Sequence, residues 1–294
     1  MKSVSRVEGG KAASFQTRNM KIKTTCPTTQ LLWLSDIHFD RADEETRARF
    51  LRKINNMEYD AAVITGDISS SSYLGGHLRD LAESCSPRPL HVVMGNHDFH
   101  GSSIDKVEKL VEGVCQQHSN LRHLGYGEII PLGEGSAIVG HRGWADCRAG
   151  WGNRTVVESC DQRSIDDLRI LSRTDMFGRM EHYGRESADY FRKVLPYALT
   201  RYQHVIVATH VPPFAEVAQY NGKRCGPTHL PHFTNVSAGH AIRGIAQQFP
   251  RRQITIICGH THCATEAKIL DNLTVRVGGA QKGQPAIQRI LQLN

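Results

Sequence analysis

What the chain lacks narrows the field first. Its eight cysteines include no C-x-x-C pair, which excludes a thioredoxin-type redox motif and a zinc ribbon. No apolar run approaches the roughly 20 residues a membrane-spanning helix needs. The opening stretch MKSVSRVEGGKAASFQTRNMK carries basic residues but no apolar h-region, so it does not read as a secretory signal. With unpaired cysteines, this points to reduced thiols and a cytoplasmic setting, where the sequons at Asn153, Asn235 and Asn272 carry no meaning. Internal repeats are missing, which excludes a solenoid. Aromatic residues are sparse at 7%.

A broad basic surface is also missing. The net charge is +7, but residues 1–30 hold six Lys/Arg against the single acid Glu8, leaving only +2 for residues 31–294. The main domain is nearly neutral. A loose basic tail over 1–30 is therefore expected, and it alone suggests a nucleic-acid partner. A membrane partner is not expected.

What is abundant is histidine, with 16 residues. Short apolar runs at 31–35, 61–65, 90–94, 204–210 and 254–258 predict buried strands. Helical spacing predicts helices near 43–56, 73–84 and 104–118, giving a β-α-β-α-β-α rhythm and a largely parallel sheet. "EIIPL" and "SAIVG" predict an antiparallel pair. Helices are predicted at 163–176, 185–203 and 238–249, with a long loop at 211–237. "TEAKILDNLTVRVGG" and "PAIQRILQL" read as antiparallel strands with a turn at Asp271-Asn272.

In open α/β sheets, ligands gather beyond the carboxyl ends of the strands. There the sequence reads SDIHFD, GDISS, GNHD, THVPP and CGHTHC. Each alone is an ordinary turn, cap or surface histidine. Together they send Asp36, His38, Asp67, Asn96, His210, His260 and His262 to one sheet edge. Carboxylates and imidazoles crowded there need a counter-charge, which metal supplies. Seven groups exceed one tetrahedral ion, so two ions sharing a carboxylate fit better. The donor mix suits iron, manganese, zinc or cobalt over magnesium or calcium.

This ordered set, D-x-H, G-D, G-N-H-D, a later His and G-H-x-H, resembles the calcineurin-like metallophosphoesterase family. The resemblance spans residues 36–262 and implies a four-layer αββα sandwich with two central mixed sheets. It implies a domain over 31–294 with a dinuclear centre of manganese or iron, or else of zinc, cobalt or nickel. One ion would be held by Asp36, His38, Asp67 and His262, the other by Asp67, Asn96, His210 and His260. His97 would face the substrate as general acid, with Asp98 orienting it. The implied activity is hydrolysis of phosphomonoesters or phosphodiesters through a metal-bridging hydroxide. The alternatives are a nuclease or cyclic-nucleotide phosphodiesterase on the same site, or a non-catalytic scaffold.

Weaker candidates remain. "GHRGWADCRAGWG", 140–152, resembles a Gly-Trp segment of some bacterial members, so Arg142 and Trp144 are substrate-binding candidates. Residues 141–203 and 211–237 read as an elaboration over the site. His229, His232, Asp40 and His77 could reach substrate. Cys258 and Cys263 admit a structural-zinc reading.

Overall fold

The computed structural model describes residues 29–293. The basic tail expected over 1–30 therefore lies, except for Thr29 and Gln30, outside the described residues. In chain order the first half contains β1 (Thr29–Leu34), α1 (Glu44–Asn55), β2 (Ala61–Thr65), α2 (Ser71–Cys85), β3 (Leu90–Val93), α3 (Ile104–Gln117) and β4 (Leu121–His123). The pair β5 (Ile130–Leu132) and β6 (Ser136–Gly140) follows, then the short helices α4 (Asp161–Ser164) and α5 (Asp166–Arg169). The long α6 (Arg173–Arg201) precedes β7 (His204–Ala208), the small hairpin β8 (Gln219–Tyr220) and β9 (Lys223–Arg224), and α7 (Leu230–Phe233). The chain closes with α8 (Val236–Gln248), β10 (Gln253–Cys258), β11 (Thr265–Leu270), β12 (Leu273–Val277) and β13 (Ile287–Leu293).

Two large sheets result. One has the order β13-β1-β2-β3-β4 and the other β11-β12-β10-β7-β6-β5. In the first, β1 to β4 run parallel and β13 is antiparallel to β1. In the second, β12, β10, β7 and β6 are parallel, with antiparallel β11 and β5 at the edges. Both sheets are thus mixed, as expected.

The central strands β1, β2, β3, β6, β7 and β10 read as largely apolar runs because they bury both faces. Side-chain alternation divides them between layers. Leu31 and Trp33 of β1 meet Ile206 and Ala208 of β7 and Ile257 of β10 in a core between the sheets. The intervening Leu32 and Leu34 face outward into a core shared with α1, α2 and α3. Val205 and Val207 likewise face α6 and α8. Each fully buried aliphatic side chain contributes about 1.5–3 kcal/mol. The layers are therefore helix, sheet, sheet, helix.

One predicted boundary is corrected. Helices expected at 163–176 and 185–203 are instead two short turns and the single 29-residue α6. Gly184 does not break the helix. A Cβ there would run into Asp146, so the glycine lets the segment after β6 pack against α6. The long loop at 211–237 holds the β8–β9 hairpin and α7. Among the described residues no helix is long and apolar enough to cross a membrane.

Candidate metal centre

The carboxyl ends of β1, β2 and β3 in one sheet, and of β7 and β10 in the other, deliver the seven candidate ligands to one place. The turns that do so are tight. Asp36, His38, Asp67, His260 and His262 all have positive φ, between 41° and 73°. Non-glycine residues seldom adopt this left-handed conformation, and it concentrates at functional sites. Gly95 lies so close beneath Asp67 and His210 that a Cβ would strike both side chains.

Around Asp36, His38, Asp67 and His262, one donor atom from each side chain lies within 4.8 Å of the others. His38 Nε2 is 3.1 Å from His262 Nε2 and 3.7 Å from Asp67 Oδ2, and His262 Nε2 is 3.5 Å from Asp36 Oδ1. On the other side of Asp67, its Oδ1 is 3.3 Å from His210 Nε2. Asn96 Oδ1 lies 3.0 Å from His210 Nε2 and 2.9 Å from His260 Nδ1.

Proton accounting tests whether a cation fits. The second nitrogen of His210, Nδ1, is 2.8 Å from the Thr65 carbonyl, and that of His260, Nε2, is 2.8 Å from the His232 carbonyl. Those carbonyls can only accept, so these nitrogens carry the N–H, and in the neutral imidazoles the facing nitrogens carry the lone pairs. The Asn96 amide is oriented too, because Nδ2 donates to Asp161 Oδ1 at 2.9 Å. Its oxygen is thereby aimed at two imidazole lone pairs with no proton between them. A cation resolves the repulsion, and backbone carbonyls holding the far nitrogens are the usual support for metal-bound histidines.

The titration behaviour agrees. Burial, with Asp36 and Asp98 nearby, pushes Asp67 well above the usual carboxylate range. Burial would raise Asp36 as well, but the His262 hydrogen bond and nearby imidazoles hold it low. Burial pushes His38 and His260 down to about 4, leaving them neutral, whereas for His262 the Asp36 hydrogen bond and charge outweigh burial and raise it.

Two assigned roles need correction. Asp98 does not orient His97. Its fully buried carboxylate accepts from the backbone N–H groups of Gly95, Asp67, Ile68 and Ser69 at 2.7–3.0 Å. It ties the turn after β3 to the loop after β2. Arg142 and Trp144 do not line the cleft over the centre. Arg142 pairs with Glu108 and Glu186, and Trp144 is buried against Phe99 and Tyr183.

The weaker candidates also find places. His229 stacks on Tyr220 at 4.5 Å in the cleft wall. His232 is 5% exposed, its imidazole bonded to the Val157 carbonyl. Asp40 pairs with Arg41, and His77 bonds Ser69. Cys258 is fully buried and donates to the Arg276 carbonyl, which leaves its sulfur facing no metal cluster among the described residues.

The residues missed in the sequence are His100 and Asp161. Asp161 is buried and accepts from Asn96 Nδ2, from His100 Nε2 at 2.6 Å and from Ser159 Oγ at 2.8 Å. His100 lies three residues beyond His97 on the same turn, a usable signal. Asp161 lies in an irregular stretch and offered none.

The cleft above the centre has a volume of about 570 Å³. His97 opens into it, as do Arg41 and Lys282, and residues 157–161 with His229, His232 and Phe233 supply walls. Burial and the neighbouring His100 and His38 rings push His97 down to about 2, so it is neutral here.

Residues 29–264 match the family model described as Calcineurin-like phosphoesterase. No curated protein matches the chain. Among solved structures, TT1561 of Thermus thermophilus is similar at a TM-score of 0.53 and 14% identity, over 91% of this chain and 99% of that one. A dimetal phosphatase from Danio rerio is similar at a TM-score of 0.53 and 12% identity, over 86% of this chain and 88% of that one. At these identities the two likenesses speak to the fold alone.

Proposed function

The chain belongs to the calcineurin-like phosphoesterase family, and on that premise we propose that it is a two-metal hydrolase of phosphomonoesters or phosphodiesters. One ion is assigned to Asp36, His38, Asp67 and His262, the other to Asp67, Asn96, His210 and His260, with Asp67 shared. The observation that carries this reading is Asn96 Oδ1, aimed at two imidazole lone pairs. The mixed nitrogen, carboxylate and amide donors suit manganese or iron, with zinc, cobalt or nickel as alternatives. Bound there, the ions supply charge for the phosphoryl oxygens and acidify water.

The chain's own residues supply the rest. Asn96 is neutral where an aspartate would cancel one more positive charge, so the centre stays attractive to phosphate. Arg41 and Lys282 on the cleft wall favour the same anion. His97 is assigned as proton donor to the leaving oxygen. Its buried setting holds it neutral, and an arriving phosphate anion favours its protonated form. Within 141–203 and 211–237, residues 157–161 with Tyr220, His229, His232 and Phe233 are assigned as the elaboration that walls the cleft and selects the leaving group, while α6 belongs to the outer helix layer.

The test is a panel of phosphomonoesters and phosphodiesters, with nitrophenyl and alkyl leaving groups, on metal-reconstituted enzyme. Hydrolysis that depends on added metal is expected. His97→Ala is expected to keep both ions and to lose about 10²–10⁴-fold on alkyl esters, far less on nitrophenyl esters. Equal losses on the two series would remove the proton-donor role. No hydrolysis across the panel, with both ions bound, would remove the enzyme reading.

A further inference from the structure

Beside the proposed dinuclear centre lies a second set of donors. His97, His100 and Cys160 each bring a donor atom, and the three atoms lie within 4.8 Å of one another. The short helical turn at 97–99 carries His97 and His100 to one side, with ring centroids 4.3 Å apart. Cys160 arrives from the segment before α4. Two backbone bonds hold that region to the His100 turn: Gly101 N–H donates to the Ser164 carbonyl at 2.7 Å, and Asp166 N–H to the Ser102 carbonyl at 2.9 Å.

The support around these donors is that of a ligand set. His100 Nε2 lies 2.6 Å from Asp161 Oδ1, so in the neutral ring the N–H sits there and the lone pair is on Nδ1. A carboxylate behind a histidine is the usual brace of a zinc ligand. Cys160 is exposed and shares the cleft with His97. Two imidazoles and one thiolate give zinc three protein ligands and an open fourth position. A thiolate favours zinc strongly over manganese or magnesium.

We propose that His97, His100 and Cys160 form a third metal site, selective for zinc, that inhibits the enzyme when filled. On binding, the Cys160 thiol gives up its proton to solvent and the zinc–sulfur bond forms. With its ring nitrogen bound to zinc, His97 is held away from the substrate side of the cleft it opens into. The inhibition rests on the proposed role of His97 as proton donor; the binding of the ion does not.

Two readouts separate these parts. Cobalt(II), titrated into protein carrying two manganese ions, is expected to produce a thiolate-to-cobalt absorption band in wild type and none in Cys160→Ala. Zinc is expected to inhibit alkyl-ester hydrolysis in wild type, with about tenfold weaker inhibition in Cys160→Ala, each protein's inhibited rate being read against its own zinc-free rate. His100→Asn is expected to weaken the cobalt band similarly. Absence of the band in wild type overturns the site, whatever the activity. Equal zinc inhibition of wild type and Cys160→Ala overturns the inhibitory role and assigns the effect to exchange at the dinuclear centre.

Discussion

Asp67 is 1% exposed and has Asp36 and Asp98 as neighbours, an arrangement that disfavours its charge unless cations are present. In the proposed centre it faces both ions, whereas each remaining ligand faces one. Asp67→Asn is therefore expected to lose both ions together, read by elemental analysis after desalting. Retention of both would remove the shared role. Asp161 acts one step further out, through the Asn96 amide. Asp161→Ala is expected to lower affinity for the second ion alone by about 10–100-fold; unchanged affinity for both would show that Asn96 needs no brace. The seven candidate ligands were legible in the sequence because each ends an apolar run and carries metal-type donors. Asp98 was misread because its partners are backbone N–H groups, most of them about 30 residues earlier, which no side-chain pattern records. Asp161 was invisible for a related reason: its meaning arises only where an irregular segment folds back onto the turn after β3.

The central strands were legible at the level of elements because burial on both faces writes a largely apolar run. Helix continuity in α6 was not, since a glycine inside a helical pattern looks like a break. Gly184 instead marks a close approach. Asp146, which it touches, is fully buried and accepts from the N–H groups of Val236 and Ser237 at the start of α8. One glycine therefore lets α6, the segment after β6 and the amino end of α8 meet. Gly184→Ala improves helix propensity by up to ~1 kcal/mol, but the added methyl displaces a carboxylate that caps a second helix. Overpacking of this kind costs about 1–3 kcal/mol, so net destabilisation is expected in urea unfolding. An unchanged or raised midpoint would show that Asp146 can move freely.

Acid sensitivity belongs to the whole molecule. His91 on β3, His123 on the neighbouring β4 and His141 just after β6 all lie outside the cleft. Burial pushes His91 and His123 down to about 4 and His141 to about 3. In the unfolded chain each returns to about 6.5. Below that pH the unfolded state takes up protons that the folded state refuses. Their contribution is therefore complete above pH 6.5 and is lost as pH falls toward 4. The loss is about 2 kcal/mol at pH 5 for each fully buried histidine. Protonation of the candidate ligands also loosens any bound metal on acidification, so the slope must be isolated by substitution. His141 is 8% exposed and packs beside Tyr190 and Phe191, a setting that admits an apolar side chain. His141→Leu gives up one hydrogen bond, from Gly143 N–H to His141 Nδ1 at 3.2 Å, an offset of about 1 kcal/mol independent of pH. It also removes one proton-binding group from the unfolded state. Stability measured between pH 7 and pH 5 is expected to fall less steeply in the variant, by up to ~1.4 kcal/mol per pH unit. Parallel curves, displaced but equal in slope, would show that His141 is not held neutral in the fold.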